Sequence, residues 1–130
     1  MRFHPNELFI FYDPKSNTGK QTRAYAYSIT KHVNEVSFEH ARFSSTRWRE
    51  ILQLLNLRAK DLMNRAHPDY QSKLAGNNYD EEDWLNIIIK HPYLIKAPIA
   101  VKNKKAVLCV KPTEILKLSW ILNDSAWFHF

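Results

Sequence analysis

The side chains best placed for chemistry lie in one short turn, Lys15-Ser16-Asn17-Thr18-Gly19-Lys20, directly after the apolar run from Leu8 to Tyr12. A hydroxyl, two ammonium groups and the free N–H groups from Asn17 to Lys20 at a helix start would attract phosphate, sulfate or a carboxylate. The serine hydroxyl is a poor nucleophile unless a base takes its proton, and no histidine is positioned by sequence to do so. Ser16 therefore reads first as a cap of the turn or of the first helical turn. Gly19-Lys20 behind a strand also invites a P-loop reading. That pattern requires glycine where Pro14 stands and Ser or Thr where Gln21 stands, so it fails at both ends.

Outside the turn, the reactive inventory is small. Cys109 is the only cysteine, which rules out an internal disulfide and any multi-cysteine metal site, and points to a reduced, cytoplasmic setting. It lies in an apolar run, where a free cysteine behaves as a small buried hydrophobe. The histidines, His4, His32, His40, His67, His91 and His129, show no ligand spacing with one another or with the cysteine, so no metal and no cofactor is expected. His67 and His91 each precede a proline, which suits loop boundaries.

The elements that must position these residues follow from periodicity. Leu8 to Tyr12 reads as a strand buried on both faces, and therefore central. Gly19 to His32 reads as a helix, with Ala24, Tyr27 and Ser28 near helical spacing, and Val36 to Phe38 as a short strand, giving a right-handed parallel βαβ unit. Trp48, Ile51, Leu52 and Leu55 define an amphipathic helix capped by Ser45 or Thr46. Arg58 to Leu74 suggests short helices broken at His67-Pro68-Asp69. Asp80 to Asp83 opens a helix that buries Trp84, Leu85, Ile88 and Ile89 and stops near His91 and Pro92. Pro98 to Lys102 and Ala106 to Val110 form a β-hairpin, and Pro112 starts a last helix with Ile115, Leu116 and Ile121 on its apolar side.

With 130 residues, 45% of them apolar, the chain suits one domain spanning 1–130. The five-residue apolar run near the N-terminus is too short for a signal peptide or a membrane span, so no membrane partner is expected. Nineteen Lys and Arg against thirteen Asp and Glu leave a net charge of +6, but the basic residues are scattered among acids, which disfavours nucleic acid as a partner. The tail Ala126-Trp127-Phe128-His129-Phe130 is aromatic and suits docking on the domain or on a partner.

Three phrases in this order resemble the arsenate reductase and Spx family, which has a thioredoxin-like (glutaredoxin-like) α/β fold. They are Tyr12-Asp13-Pro14-Lys15-Ser16-Asn17-Thr18-Gly19-Lys20, then His91-Pro92-Tyr93-Leu94-Ile95-Lys96-Ala97-Pro98-Ile99, then Lys111-Pro112-Thr113-Glu114-Ile115-Leu116. The resemblance implies a βαβ unit, inserted helices, a β-hairpin and a C-terminal helix. It also implies that Ser16 stands where the family carries its nucleophilic cysteine, and Gly19 where Spx-type proteins carry a second one. Ala97 and Lys111 stand at two of the family's arginines, and a third would fall near Asn64, beside Arg65.

From the resemblance we expect a cis bond between Ala97 and Pro98 and a redox-inactive module that binds an anion or a protein. The expected anion site comprises Lys15, Ser16, Asn17, Thr18, Gly19, Lys20 and Lys111. RNA polymerase enters as a partner only by analogy with Spx-type proteins. The rival expectation is a reductase of arsenate reductase type that uses Cys109 or an external thiol.

Overall fold

A computed structural model describes residues 7–119, and its architecture starts from the alternation within one strand. Strand β1 (Leu8–Tyr12) sends Phe9 and Phe11 to one side and Leu8, Ile10 and Tyr12 to the other, and all five side chains are buried. A strand that is apolar on both faces must be covered on both, so helices flank the sheet in three layers. β1 pairs in parallel with β2 (Val33–Ser37), Leu8 opposite Val33, and antiparallel with β3 (Ile99–Lys102), Phe11 opposite Ile99. β4 (Lys105–Leu108) completes the order β2-β1-β3-β4.

Helix α1 (Asn17–Ile29) and a 3-10 helix (Pro112–Leu116) cover the Leu8, Ile10 and Tyr12 face, adding Ala26, Ile115 and Leu118 to that core. On the opposite face lie α2 (Ser45–Leu55) and α4 (Glu81–Lys90), with α3 (Pro68–Lys73) between them in the chain. Phe11 anchors this second core: its ring lies 4.7 Å from Phe38 and 5.4 Å from Trp48, the latter edge-on, a geometry that adds to simple area burial. The order βαβ, helices, hairpin and helical turn is the one expected. The last helix runs as 3-10 through Leu116, while Ile121 and the aromatic tail lie outside the described residues.

Several local expectations change. The buried side of α1 is Gly19, Thr22 and Ala26, whereas Ala24, Tyr27 and Ser28 face outward, because three small residues let the helix lie close to the sheet. Tyr27 is used differently: its hydroxyl donates to Glu35 at 2.5 Å, as do Tyr12 at 2.5 Å and Arg23 at 2.7 Å, which ties α1 to β1 and β2. Burial pushes the Glu35 carboxyl upward, but these hydrogen bonds outweigh it and hold the group below its ordinary value. Burial first and Glu35 second push Tyr12 up to about 12.

Strand β2 ends at Ser37, and Phe38 turns into the core as a short 3-10 helix begins. Ser44 rather than Ser45 or Thr46 caps α2, its hydroxyl accepting the Arg47 N–H at 3.2 Å. His67-Pro68-Asp69 starts a helix instead of breaking one: proline is at home in a first turn, where its missing N–H costs nothing. At α4 the expected acidic first turn is a reciprocal cap, Asp83 N–H to Asp80 at 2.8 Å and Asp80 N–H to Asp83 at 3.2 Å. The hairpin turns over two residues, with Asn103 at φ +57°, a left-handed conformation that asparagine tolerates.

Gly19 offers a direct test of how closely α1 approaches the end of β1. In an open helix, replacing glycine by alanine gains about 0.5–1 kcal/mol. Here an added Cβ would stand 2.2 Å from the Asp13 carbonyl oxygen and 2.7 Å from the Ser16 hydroxyl oxygen. Gly19→Ala is therefore expected to lose about 1–3 kcal/mol by overpacking. A gain in stability on urea unfolding would show that the backbone yields and that the contact does not constrain the turn.

Candidate functional site

The end of β1 and the start of α1 meet in a tight loop that Asp13 organises. Its carboxylate accepts the Lys15 N–H at 2.9 Å, and its carbonyl accepts the Ser16 N–H at 3.1 Å. Ser16 then caps α1. Its hydroxyl accepts the Gly19 N–H at 2.9 Å and can donate to the Asp13 carbonyl at 3.1 Å, so both of its hydrogen-bonding roles are occupied within the loop. The Lys20 N–H is also taken, bonding the Ser16 carbonyl at 3.0 Å as the first regular helical bond. Of the N–H groups expected to be free from Asn17 to Lys20, those of Gly19 and Lys20 are thus already used.

A cleft of about 250 Å³ opens beside this cap. It is lined by Asp13, Ser16 and Thr18 from the loop and first turn of α1, by Ala97 and Pro98 ahead of β3, and by a rim of Asn64, His67, Tyr93 and Lys96. Of the anticipated anion site, the cleft therefore gathers Ser16 and Thr18, together with the separately expected Pro98. Gly19 lies buried directly behind the cap. Lys15, Asn17, Lys20 and Lys111 are exposed and do not line it. Lys15 lies 3.7 Å from Glu39 instead, and Lys111 opens the last 3-10 helix, its N–H on Glu114 at 3.2 Å.

Pro98 differs from expectation. No peptide bond among the described residues is cis, so Ala97-Pro98 is trans, the form an X–Pro bond prefers by about 0.5–1 kcal/mol. In that form its carbonyl still accepts the Cys109 N–H at 2.7 Å, which continues the β3 and β4 pairing past Ile99.

Sequence reasoning missed most of the rim. The resemblance alone puts Asn64 near the site, the proline after His67 marks it as a loop boundary, and nothing in the local sequence distinguishes Tyr93 or Lys96. His67 caps α3 through its ring: Nδ1 accepts the Asp69 N–H at 3.0 Å, which requires a lone pair there and leaves the proton of the neutral ring on Nε2. The Tyr93 hydroxyl donates to Asp69 at 2.7 Å, and its ring meets those of His67 and His91 edge-on. That hydrogen bond lowers the Asp69 carboxyl and raises the Tyr93 phenol. The available signal was weak, because Asn64 and Tyr93 are far apart in sequence and meet only where residues 62–64 run antiparallel to 94–96.

Cys109 comes near the cleft only through its backbone. The side chain is fully buried in the core beneath α1, and burial pushes its thiol up to about 12. A thiol with so high a pKa is almost wholly protonated at neutral pH.

The fold and cleft can be compared with known proteins. The Escherichia coli (strain K12) protein named "Uncharacterized protein YfgD" is 22% identical over 114 residues, which cover 86% of this chain and 96% of that protein. A putative arsenate reductase from Yersinia pestis superposes with a TM-score of 0.77 at 23% identity, over 85% of this chain and 98% of that one. An arsenate reductase from Vibrio cholerae superposes with a TM-score of 0.78 at 20% identity, over 88% and 98%. At these identities the solved structures speak for the fold alone, a four-stranded mixed sheet with helices of thioredoxin-like type. The ArsC family model matches residues 11–118, most of the sheet and both helical layers, and the chain belongs to the ArsC family.

Proposed function

We propose that this chain is an ArsC family member that performs no thiol chemistry and serves as a binding module, with the cleft beside Ser16 receiving an anionic group. One observation carries the reading: the residue at the mouth of α1 is a serine whose hydroxyl is engaged by Gly19 N–H and the Asp13 carbonyl, and no sulfur lines the cleft. Reduction of an oxyanion by this family's route needs a thiolate that attacks and is then released as a disulfide, and a hydroxyl can do neither. The resemblance that assigns a second cysteine to position 19 meets the same obstacle, since the Asp13 carbonyl occupies the space a side chain would need.

Anion binding draws on three features of the cleft. Thr18 lines the cleft, and its N–H, with that of Asn17 next to it outside the lining, leads α1 and has no carbonyl of its own helix to bond. The positive end of the helix dipole points to the same place. Lys96 adds a cation to the lining, which also includes the Asp13 carboxylate. The balance suits weak capture of a carboxylate, phosphate or sulfate, presented free or on a protein, better than tight enclosure.

Two measurements test this reading. In a glutathione-coupled assay the purified protein is expected to show no arsenate turnover, and Cys109 is expected to stay unmodified by a disulfide probe at pH 8 until the protein is unfolded. Turnover that disappears in Cys109→Ser would establish the rival reductase. In a titration with phosphate, sulfate or arsenate, saturable binding should perturb the amides of Asn17 and Thr18. Ser16→Asp keeps a good N-cap but places a carboxylate at the helix mouth, and should abolish it. Equal binding by that variant would remove the cleft from consideration.

A further inference from the structure

Next to the cleft, the antiparallel meeting of residues 62–64 with 94–96 builds a second concavity whose charge is not explained by the reading above. The Asn64 N–H bonds the Leu94 carbonyl at 2.7 Å, the Lys96 N–H bonds the Leu62 carbonyl at 2.8 Å, and Met63 bridges Ile95. This short ladder holds Lys96 alongside Arg65, and the 3-10 turn Ala59–Leu62 brings Lys60 to the same groove, of about 410 Å³. Three cations thus line one concavity together with a single carboxylate, Asp61.

The nearby acids each accept a backbone N–H, and Asp61 leaves the groove with an excess of two positive charges over its one carboxylate. Asp61 accepts the Arg58 N–H at 2.9 Å, closing the 3-10 turn, and Glu81 accepts the Ala59 N–H at 2.8 Å. Ion pairs elsewhere join Lys15 to Glu39, Arg23 to Glu35, Arg49 to Glu82 and Lys117 to Glu114, so what marks this groove is the gathering of three cations in one concavity. Lys60, Arg65 and Lys96 form no ion pair with a carboxylate among the described residues. Like charges gathered around one groove repel each other, a cost that an anion of matching charge relieves.

From this arrangement the geometry points to a binding site for a compact polyanion of the diphosphate class, held by Lys60, Arg65 and Lys96. An Arg fork and two ammonium groups can each engage phosphoryl oxygens by charge-assisted hydrogen bonds. Met63, the one apolar residue of the lining, is almost fully buried, and no aromatic residue lines the groove on which a base could stack. A small anion carrying two or more charges fits that lining better than a nucleotide. The site is separate from the Ser16 cleft, although Asn64 and Lys96 border both.

The test uses inorganic pyrophosphate and the full chain, followed by calorimetry and by backbone amide shifts. Binding should saturate at one equivalent, weaken as salt is raised, and shift Met63, Asn64, Arg65 and Lys96. Arg65→Gln should weaken it about tenfold and the combined K60Q/R65Q/K96Q variant about a hundredfold. All three side chains are exposed, so unchanged circular dichroism is expected to accompany the loss. Ser16→Asp separates this site from the cleft, because it should leave the pyrophosphate shifts at Arg65 in place. Absence of saturable binding, equal affinity in the triple variant, or shifts confined to Asn17 and Thr18 would each overturn the assignment. An adenine nucleotide binding more tightly than pyrophosphate would overturn the ligand class.

Discussion

Backbone against backbone, the Asp13 carbonyl lies so close to α1 that only glycine fits at position 19. That contact sets the geometry of the whole site end of the molecule. It lets the Ser16 hydroxyl reach both the Gly19 N–H and the Asp13 carbonyl, so that the loop is closed by its own hydrogen bonds. It also puts the first turn of α1 directly over the end of β1, where Thr22 and Ala26 continue the same seam of small residues. The Ser16 hydroxyl thereby serves as a structural link on both sides, donor to one backbone group and acceptor from another.

The two faces of the sheet are built by different means. Beneath α2 and α4 the core is aromatic, with Phe9, Phe11, Phe38, Phe43 and Trp48 in mutual contact, and large rings fill the space without close backbone approach. Under α1 the core is mostly aliphatic, made by Leu8, Ile10, Tyr12, Ala26, Ala100, Cys109, Ile115 and Leu118, and polar ties through Glu35 add to the packing of the helix. The lone thiol falls within this layer, and burial there keeps it protonated.

The chain segments that carry the cleft rim and the basic groove have almost no regular structure of their own. A 3-10 turn, an isolated bridge and two backbone hydrogen bonds hold residues 59–65 against 94–96. The two segments are tied by the Asn64 N–H to Leu94 carbonyl and Lys96 N–H to Leu62 carbonyl bonds, with Leu62, Met63, Leu94 and Ile95 buried beneath. Charged residues between those anchors, Arg65 and Lys96 among them, have nowhere to go but outward.

By itself the sequence determined the class and order of the elements. A five-residue run apolar on both faces could only be a central strand, Asp80 and Asp83 could only start a helix, and Asn103 marked the hairpin turn. Absence of a thiol at the helix mouth was equally plain, as was the turn in which Ser16 sits. Those signals are local, carried by periodicity and by caps within a few residues of one another.

Only the tertiary structure decided which cations share a concavity, since Lys15, Lys20 and Lys111 are absent from the cleft lining while Lys60, Arg65 and Lys96 line one groove. It also decided the trans bond at Pro98, the outward turn of Tyr27, and the burial of Cys109 within bonding distance of a cleft residue's backbone. Each depends on residues dozens of positions apart being brought together, and no spacing rule along a single strand or helix reports the distance between two segments that meet edge to edge.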